Sequence, residues 1–449
     1  MVDIKKQTAE EVIKNLEGKG IRFVYLQFSD ILGVVKSVTI PLEELPDCIE
    51  HGKWFDGSSV EGFIRLLESD MYLKPDLSTL TPLSWEQDEQ PAARVMCSML
   101  TPEGELFPGD PRTILVKVTE ATTALDYRLY VAPELEFFLF LPNEGKMTPL
   151  SQDRGGYFDL STGVSASIRK EMVHVLREMS IRVEASHHEL GAGQHEIDFA
   201  RDEVLKNADS LITARYTIKA LAQKHGLSVT FMPKPFEGVE GSGMHIPLSL
   251  FHISSGKNAF CDVKNEYGLS STARSFLAGL LYHARGMCAI LNPLVNSYKR
   301  LVRGFEAPVY VSWARVNRSA LIRVPRVNPQ KLHTTRLEIR NPDPSCNPYL
   351  AYAVILSCGL HGIKEKLPLP PPVEENLFAF DDIELERRQI LRLPVTLGEA
   401  LDELQKDTVI KETLGDLVLT KFLDAKRREW EEFCRHVTPW EKENYLGVW

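Results

Sequence analysis

The sequence predicts an α+β protein in which a small β-rich module precedes a larger region of mixed helices and strands. Residues 21–40 (IRFVYLQFSDILGVVKSVTI) alternate apolar and polar side chains around a turn at Ser29 and Asp30, as two paired strands do. Segments with helical periodicity follow from residue 167 onward, separated by strand-like pieces that lack the regular alternation of an α/β repeat. The two patterns together favour the α+β class.

The elements can be assigned in order along the chain. Residues 1–20 are typical of an amphipathic helix, and ARVMCSML at 93–100 is typical of a further strand. Passages rich in proline and acidic residues surround this strand, so we expect one domain at 1–104 and a second at 105–449. Helices are expected at 167–179, 207–225, 271–291, 347–367, 397–415 and 424–437, and PLPPPVEENL at 368–377 is expected to be an exposed linker.

The composition excludes several classes of protein. With 449 residues and a net charge of -10, the chain gives no electrostatic reason to expect a nucleic-acid or membrane-surface partner. Its seven cysteines include no CxxC pair, so neither a disulfide framework nor a zinc-cysteine site is indicated. The most apolar long segment, at 276–295, is interrupted by His283 and Arg285. We therefore expect a cytoplasmic protein without an export signal or membrane span.

The segment PELEFFLF at 133–140 places two acids in an apolar run. In a strand, Glu134 and Glu136 would share one face while Leu135, Phe137 and Leu139 share the other. The two carboxylates would start ~6.6 Å apart along the strand, which suits two neighbouring divalent ions. A solvated polar face of an edge strand is the alternative interpretation of this pattern.

Further acids and histidines occur in two later segments. EASHHELGAGQHEIDF carries Glu184, Glu189 and Glu196 and lacks the HExxH spacing of a zinc protease, so a harder ion such as Mg²⁺ or Mn²⁺ suits it better. EGSGMH places His245 after a glycine-rich turn. Each segment taken alone could equally be surface or structure.

Cations accompany these acids in the C-terminal half. In TTRLEIRNPD a strand would show Arg336, Glu338 and Arg340 on one face, a pattern that suits a metal-binding carboxylate flanked by anion-binding groups. A basic cluster between 299 and 323 also indicates anion recognition. No GxxxxGK[ST] loop or Rossmann fingerprint is present, so metals and arginines would have to hold any nucleotide phosphates.

Seven motifs follow one another along the chain: WFDGSSVEGF, PELEFFLF, HHELGAGQHE, FMPKPFEGVEGSGMH, VNSYKRLVRGFEAP, NRSALIRVP and RLEIRNPDPSCNPYLA. Over essentially the whole chain they resemble the glutamine synthetase family in its long prokaryotic type I form, within the unadenylylated, product-feedback-regulated subgroup. The resemblance implies a β-grasp-like N-terminal domain and a catalytic domain with an antiparallel-strand funnel flanked by helices. It also implies a dodecamer of two hexameric rings with active sites between subunits.

The implied reaction is ATP-dependent ligation of ammonia to the γ-carboxylate of L-glutamate through γ-glutamyl phosphate, giving L-glutamine, ADP and phosphate. ATP is the co-substrate, and two or three Mg²⁺ or Mn²⁺ ions per site are the implied cofactors. The implied metal ligands are Glu136, Glu189 and Glu196 for one ion, and Glu134, His245 and Glu338 for the second.

Other roles carry over by matching motifs. The implied catalytic residues are Asp56, Glu306 and Arg318. The residues implied for glutamate and ammonium are Ser59, Tyr157, Gly241, Arg300 and Arg340, with Asp56 and Ser59 coming from a neighbouring subunit. The residues implied for ATP are Glu184, Ser249, Arg323 and Arg336, and the implied regulatory residue is Arg65. Adenylylation is not expected, because Phe378 stands where modified relatives carry tyrosine.

Three residues depart from the pattern usual in this family. Glu240 stands where asparagine is usual, Arg303 stands where proline is usual, and Pro247 follows the metal histidine. An added acid could favour an amine over ammonia, so a γ-glutamyl-amine ligase using a small amine or polyamine is one alternative, and a non-catalytic metabolite-sensing relative is another. The implied partners are further copies of the chain, its small-molecule substrates, and a small regulatory protein or metabolite effectors, with no nucleic acid and no membrane.

Overall fold

The computed structural model describes residues 9–57, 70–86, 90–143, 146–150, 153, 155–160, 163–305, 307–328 and 330–449. It confirms the α+β class, with a small sheet domain at the N-terminus and a large domain of mixed sheet and helices after it. The strands are β1 Phe23–Ser29, β2 Val35–Pro41, β3 Lys53–Asp56, β4 Asp70–Pro75, β5 Thr81–Pro82, β6 Ala92–Leu100, β7 Tyr127–Val131, β8 Glu134–Asn143, β9 Lys146–Pro149, β10 Val183–His188, β11 Gln194–Phe199, β12 Asp202–Glu203, β13 Ser228–Thr230, β14 Met244–His252, β15 Tyr310–Ala314, β16 Ala320–Arg323 and β17 Leu337–Ile339.

Helices surround these strands. They are α1 Ala9–Gly18, α2 Leu45–His51, α3 Pro111–Ala124, α4 Val164–Glu178, α5 Val204–Lys224, α6 Ser271–Tyr282, α7 Ala284–Leu291, α8 Ser297–Arg300, α9 Pro348–Lys364, α10 Asp382–Arg387, α11 Leu397–Lys406, α12 Thr408–Arg435 and α13 Pro439–Tyr445. Among the described helices, none combines the length and the apolar character that crossing a bilayer requires.

The N-terminal sheet has the strand order β2-β1-β6-β4-β3. The hairpin predicted at 21–40 is formed by β1 and β2, and Asp30 closes its turn by accepting hydrogen bonds at Oδ1 from the backbone N–H groups of Leu32 (3.0 Å) and Val34 (2.9 Å). Strands β1 and β6 are parallel, whereas β2 and β4 flank them in antiparallel pairs. Helix α1 covers this sheet with Val12 and Leu16.

The larger sheet has the strand order β10-β11-β8-β14-β17-β16-β15, and its pairs are antiparallel except for β15 and β16. Its register places Glu136 opposite Glu196 and Glu134 opposite His245. Strand β17 lies next to β14, which brings Glu338 to the same part of the sheet. Acids that are far apart in sequence therefore meet at the centre of one sheet face.

The opposite face of β8 provides the main hydrophobic core. Leu135, Phe137 and Leu139 are fully buried there, as the alternation in the sequence predicts. Helices α5 and α9 belong to this layer and are joined by polar contacts, including a hydrogen bond from the Tyr349 hydroxyl to Asp209 Oδ1 (2.7 Å). Because the helices bury the apolar face, the acid-bearing face remains available for a site.

Two predicted helices are each divided in the structure. The segment 271–291 forms α6 and α7, with His283 between them in a non-helical conformation. The ring of His283 is buried between Asp407 Oδ2 (2.6 Å from Nδ1) and His361 Nδ1 (3.0 Å from Nε2). Asp407 itself divides the segment 397–415 into α11 and α12 and caps α12 by accepting a hydrogen bond from the N–H of Ile410.

A buried arginine joins the two domains. Arg112 on α3 makes a bidentate contact with Asp209 (3.0 and 2.9 Å) and a further contact with Asp76 of the N-terminal domain (2.7 Å). Its side chain is 5% exposed. The N-terminal domain is thus attached to the larger domain by a charged, hydrogen-bonded contact as well as by apolar packing.

Candidate active site

A cavity of about 420 Å³ opens on the acid-bearing face of the larger sheet. Its walls come from β8, β10, β11, β14 and β17, from the glycine-rich turn before β14, and from loops that carry aromatic and basic side chains. The predicted site residues in its lining are Glu134, Glu136, Tyr157, Glu189, Glu196, Gly241, His245, Arg300, Arg318, Arg323, Arg336, Glu338 and Arg340.

Glu134, His245 and Glu338 offer ligand atoms within 4.8 Å of one another. Burial, helped by the charge of Arg340, lowers the pKa of His245 to about 4, so its imidazole is neutral and keeps a lone pair for a cation. Burial also raises the pKa of Glu134, an effect that Arg340 opposes most strongly. Two carboxylates and a neutral imidazole suit a divalent ion, because the positive charge of the ion would offset the negative charge of the buried carboxylates.

Glu136, Glu189 and Glu196 form a second group of buried acids, each less than 10% exposed. Burial, together with the neighbouring carboxylates, raises the pKa of Glu189 to about 7 and that of Glu196 well above its usual range. His187 lies 3.4 Å from an oxygen of each of these two acids. Like charges this close favour a shared cation, so the group fits a metal ion better than it fits an uncharged ligand.

Two glycines shape the turn beside these acids. A Cβ on Gly241 would overlap the carbonyl oxygen of Pro233, and a Cβ on Gly243 would overlap the guanidinium of Arg300. Arg300 is 4% exposed and donates hydrogen bonds to the carbonyl oxygens of Asn341 (2.8 Å) and Arg340 (3.2 Å). The arginine predicted to hold substrate therefore also supports the backbone of the cavity wall.

Several predicted residues do not meet at this cavity within the single chain. Asp56 ends β3 in the N-terminal domain, and Glu184 and Ser249 lie on β10 and β14 but not in the cavity lining. Ser249 is buried, in register with Tyr130. Ser59, Arg65 and Glu306 lie outside the described residues.

The cavity also contains residues that the sequence prediction did not include. Gln194 donates from Nε2 to Glu136 Oε2 (3.0 Å) and to the carbonyl oxygen of Gly241 (3.2 Å). Asp198 and His187 form a further group with Glu196 whose ligand atoms lie within 4.8 Å of one another. The signal was available, because alternation along GQHEIDF places Gln194, Glu196 and Asp198 on one face of β11.

Comparison with protein families agrees with this geometry. Residues 20–102 match the family model described as "Glutamine synthetase, beta-Grasp domain", and residues 108–445 match "Glutamine synthetase, catalytic domain". The chain belongs to the glutamine synthetase family. The larger sheet and the grouped acids lie within residues 108–445, the part of the chain that matches the catalytic-domain model.

Individual relatives are similar over almost their full length. A protein of Thermotoga maritima named glutamine synthetase is 47% identical over 441 residues, which cover 98% of this chain and 99% of the relative. A glutamine synthetase of Thermus thermophilus is 46% identical with the same coverage. Among solved structures, one titled "GmaS/ADP complex-Conformation 1" has a TM-score of 0.89 at 29% identity with full coverage of both chains. A Plasmodium falciparum glutamine synthetase has a TM-score of 0.86 at 25% identity and covers 98% of this chain and 99% of its own.

The residues that depart from the glutamine synthetase pattern occupy distinct places. Glu240 lines the cavity, and its charge acts on Lys234, whose ammonium lies 3.5 Å from the ring centre of Phe305. Arg303 turns away and donates from Nε to the hydroxyl of Tyr310 (2.6 Å). Of the two charged departures, only Glu240 can meet a molecule in the cavity.

Proposed function

We propose that the protein catalyses ATP-dependent formation of L-glutamine from L-glutamate and ammonia through γ-glutamyl phosphate, with ADP and phosphate as the other products. The observation that carries this function is the meeting of both groups of acids with a set of arginines in one cavity. Transfer of a phosphoryl group to a carboxylate needs this combination, because cations must offset the charge on the phosphate and acyl oxygens. Similarity to glutamine synthetases over nearly the whole chain supports the same reaction.

The metal ions are proposed to be Mg²⁺ or Mn²⁺, two or three per site. Glu136, Glu189 and Glu196 would hold one, and Glu134, His245 and Glu338 a second; the neutral imidazole and the crowded buried acids support this assignment. Bound there, such ions would offset negative charge on the phosphate oxygens. Oxygen-rich ligand sets suit these hard cations better than zinc.

The proposed anion-binding residues are arginines that line the cavity. Arg318, Arg323 and Arg336, which line the cavity, would contact the phosphates of ATP. Glu184 and Ser249 would make further contacts with ATP. Because Arg323 already contacts Glu338 Oε2 at 3.2 Å, it is placed to link a phosphate to a metal ligand.

The proposed sites for glutamate and ammonium lie beside the glycine-rich turn. Gly241, Arg300 and Arg340 would hold glutamate, and Tyr157 would face the incoming nitrogen. Asp56 and Ser59 of a neighbouring subunit would complete the ammonium pocket, where an anionic Asp56 would bind the cation and favour its deprotonation. Glu306 would shield the acyl phosphate from water.

The proposed assembly is a dodecamer of two hexameric rings. The position of Asp56 supports active sites shared between subunits, because in one chain it lies at the end of β3, outside the cavity lining. The proposed domain boundary lies between residues 104 and 105, just after β6. The seven cysteines, all unpaired, support a reducing cytoplasmic location, and Arg65 remains the proposed regulatory residue.

The test is product identification by mass spectrometry. Purified protein, Mg²⁺, ATP and L-glutamate would be incubated with ammonium, methylamine, ethanolamine or putrescine at equal concentrations. We expect glutamine as the dominant product, with one ADP released for each glutamine formed. A dominant γ-glutamyl-amine would instead assign the protein as an amine ligase in which Glu240 selects the amine.

Matched variants locate the activity in the cavity. Glu338→Gln removes a proposed metal ligand and should abolish product, whereas Glu374→Gln alters a glutamate that accepts hydrogen bonds from the backbone of Arg315 and Val316 outside the cavity and should not. ADP release that needs neither glutamate nor an amine, or that survives in Glu338→Gln, would contradict the proposal.

A further inference from the structure

On the buried side of β10 and β11, opposite the cavity, one buried carboxylate contacts two histidines. Asp153 Oδ2 lies 2.9 Å from Nε2 of His195, and its Oδ1 lies 3.3 Å from Nε2 of His188. The aspartate is 5% exposed and both imidazoles are fully buried. The contact of Asp153 with His195 has hydrogen-bond geometry, whereas Nε2 of His188 has no hydrogen-bond partner and meets Asp153 only as a close polar contact.

The hydrogen bonds fix which ring nitrogens carry protons. Arg169 on α4 lies 2.6 Å from Nδ1 of His195, and since arginine can only donate, His195 must donate from Nε2 to Asp153. His188 Nδ1 lies 2.6 Å from the carbonyl oxygen of Glu189 and must donate to it. Each imidazole already makes a hydrogen bond through Nδ1, and the cationic Arg169 lies beside the cluster. The cluster is therefore a hydrogen-bonded anchor and not a further metal site, although its atoms are close enough together for one.

The position of the anchor relates it to the metal ligands. His188 and His195 face each other on β10 and β11, and each immediately precedes a proposed ligand, Glu189 or Glu196. Side chains alternate along a strand, so the histidines occupy the buried face while Glu196 faces the cavity. Asp153 therefore links β10 and β11 on the side opposite the cavity, next to the residues Glu189 and Glu196.

The backbone of the same segment adds to this anchor. The N–H of Gly193, in the turn between the two strands, donates to the carbonyl oxygen of Asp153 (3.0 Å). Tyr157 and Phe158, which follow shortly in sequence, line the cavity. One residue thus joins the ligand hairpin, helix α4 through Arg169, and the segment that carries the proposed ammonium-facing tyrosine.

We propose that Asp153 is a positioning residue of the metal site, which sets the separation of Glu189 and Glu196 by holding His188 and His195 together. This inference rests on the proposed metal-binding function of those two acids. Partners of this kind, one shell behind the ligands, typically change metal affinity 10–100-fold when they are removed.

The test measures Mn²⁺ binding directly, by the loss of the electron paramagnetic resonance signal of free Mn²⁺ on titration into the full-length protein. We expect Asp153→Ala, which removes the contacts with both imidazoles, to raise the Mn²⁺ dissociation constant about 10–100-fold. His195→Gln, which keeps one donor for Asp153 and one acceptor for Arg169, should stay much closer to the wild-type value. If Asp153→Ala does not fold, Asp153→Glu provides the same test, because its extra methylene displaces both imidazoles.

Asp407→Ala is the matched control, since Asp407 also contacts a buried histidine, His283, at 2.6 Å but lies away from the cavity. It should lower thermal stability and leave Mn²⁺ binding unchanged. Unchanged Mn²⁺ affinity in Asp153→Ala, or an equal loss in Asp407→Ala, would overturn the inference. Wild-type protein that binds no Mn²⁺ would instead overturn the proposed metal site itself.

Discussion

At the residue scale, the acids of the cavity have two kinds of neighbour. Glu338 lies between Arg323 and Arg340, at 3.2 and 3.4 Å. Glu136 accepts hydrogen bonds from neutral groups, the backbone N–H of Gly243 (2.9 Å) and Nε2 of Gln194 (3.0 Å). These neutral donors orient the carboxylate of Glu136 while leaving its charge for a cation to offset.

Gln194→Leu should therefore reduce the rate of glutamine formation by about 10–100-fold. The variant removes the donor to Glu136 and the acceptor of the Gly191 N–H (2.9 Å), so the thermal midpoint should also fall. Steady-state assays at varied Mg²⁺ would show a higher metal requirement. Gln223→Leu, at an exposed position near the end of α5, is the control and should behave as wild type; full activity of Gln194→Leu at limiting Mg²⁺ would contradict the role of Gln194.

The position of a residue could be predicted where the signal lies in neighbouring residues. It could not be predicted where it depends on contacts with distant parts of the chain. Alternation within PELEFFLF was enough to place Glu134 and Glu136 on the cavity side of β8. The two hydrogen bonds from Gln194 could not be predicted, because Glu136 lies 58 residues away and Gly241 lies 47 residues away. The fixed place of Arg300 beneath Gly243 is non-local for the same reason.

At the scale of elements, α6 and α9 approach until their backbones touch. A Cβ on Gly362 would overlap the carbonyl oxygen of Ser275 and lie 2.7 Å from the Cα of Gly279. These neighbours are backbone atoms of a helix and cannot turn aside as a flexible side chain could. The close crossing brings both helices into one apolar layer beneath the sheet.

Gly362→Ala should accordingly destabilise the protein by about 3 kcal/mol, the upper part of the range for overpacked cores. Thermal unfolding followed by circular dichroism would show a lower midpoint. Gly18→Ala is the matched control, since Gly18 ends α1 at an exposed position with nothing within 4 Å of a new Cβ, and alanine favours helix there. Equal midpoints for the two variants would contradict the packing argument.

The elements themselves were predictable where their determinants are local. The hairpin of β1 and β2 follows from alternation and from Asp30, which closes its own turn. The break between α6 and α7 does not, because His283 is held by Asp407, 124 residues further along the chain. The helical periodicity of the sequence alone predicts one continuous helix through His283.

At the scale of the whole molecule, Arg112 carries the polar part of the contact between domains. Arg112→Met would leave Asp76 and Asp209 partly or fully buried without their cation, so we expect a loss of about 3–5 kcal/mol in the free energy of unfolding. Arg128→Met, which breaks an exposed pair with Glu203, should cost at most about 1 kcal/mol. Similar thermal midpoints for these two variants would contradict a stabilising role of Arg112 in the contact between the domains.

The same contact predicts a dependence on pH. Burial pushes the pKa of Asp76 upward, but hydrogen bonds from Ser78 and the charge of Arg112 outweigh burial and lower that pKa. A carboxylate with a depressed pKa stabilises the fold above its unfolded value of about 4 and loses that contribution as the pH falls further. The difference in thermal midpoint between wild type and Asp76→Asn should therefore narrow below about pH 4, and a constant difference would contradict the assignment.

The proposed sharing of active sites between subunits makes a prediction about mixtures of subunits. Asp56→Ala and Glu338→Ala should each be inactive, but co-assembled in equal amounts they should recover about one quarter of wild-type activity, because a quarter of the interfaces then join two intact halves. A mixture of Glu134→Ala and Glu338→Ala, whose changes lie on the same side of the site, should recover none. No recovery in the first mixture would place Asp56 outside a shared site.

The interior position of β17 in the larger sheet, between β14 and β16, has a consequence for biosynthesis. The acids proposed to bind metal extend from residue 134 to residue 338, and β17 supplies the last of them next to β14. At about 5–20 residues per second, a ribosome needs about 10–40 s to translate the roughly 200 residues between them. The N-terminal sheet, complete by residue 100, can form during that interval. The second proposed ion, whose ligands include Glu338, therefore cannot guide early folding of the nascent chain, because its ligand set is complete only when translation is about three-quarters finished.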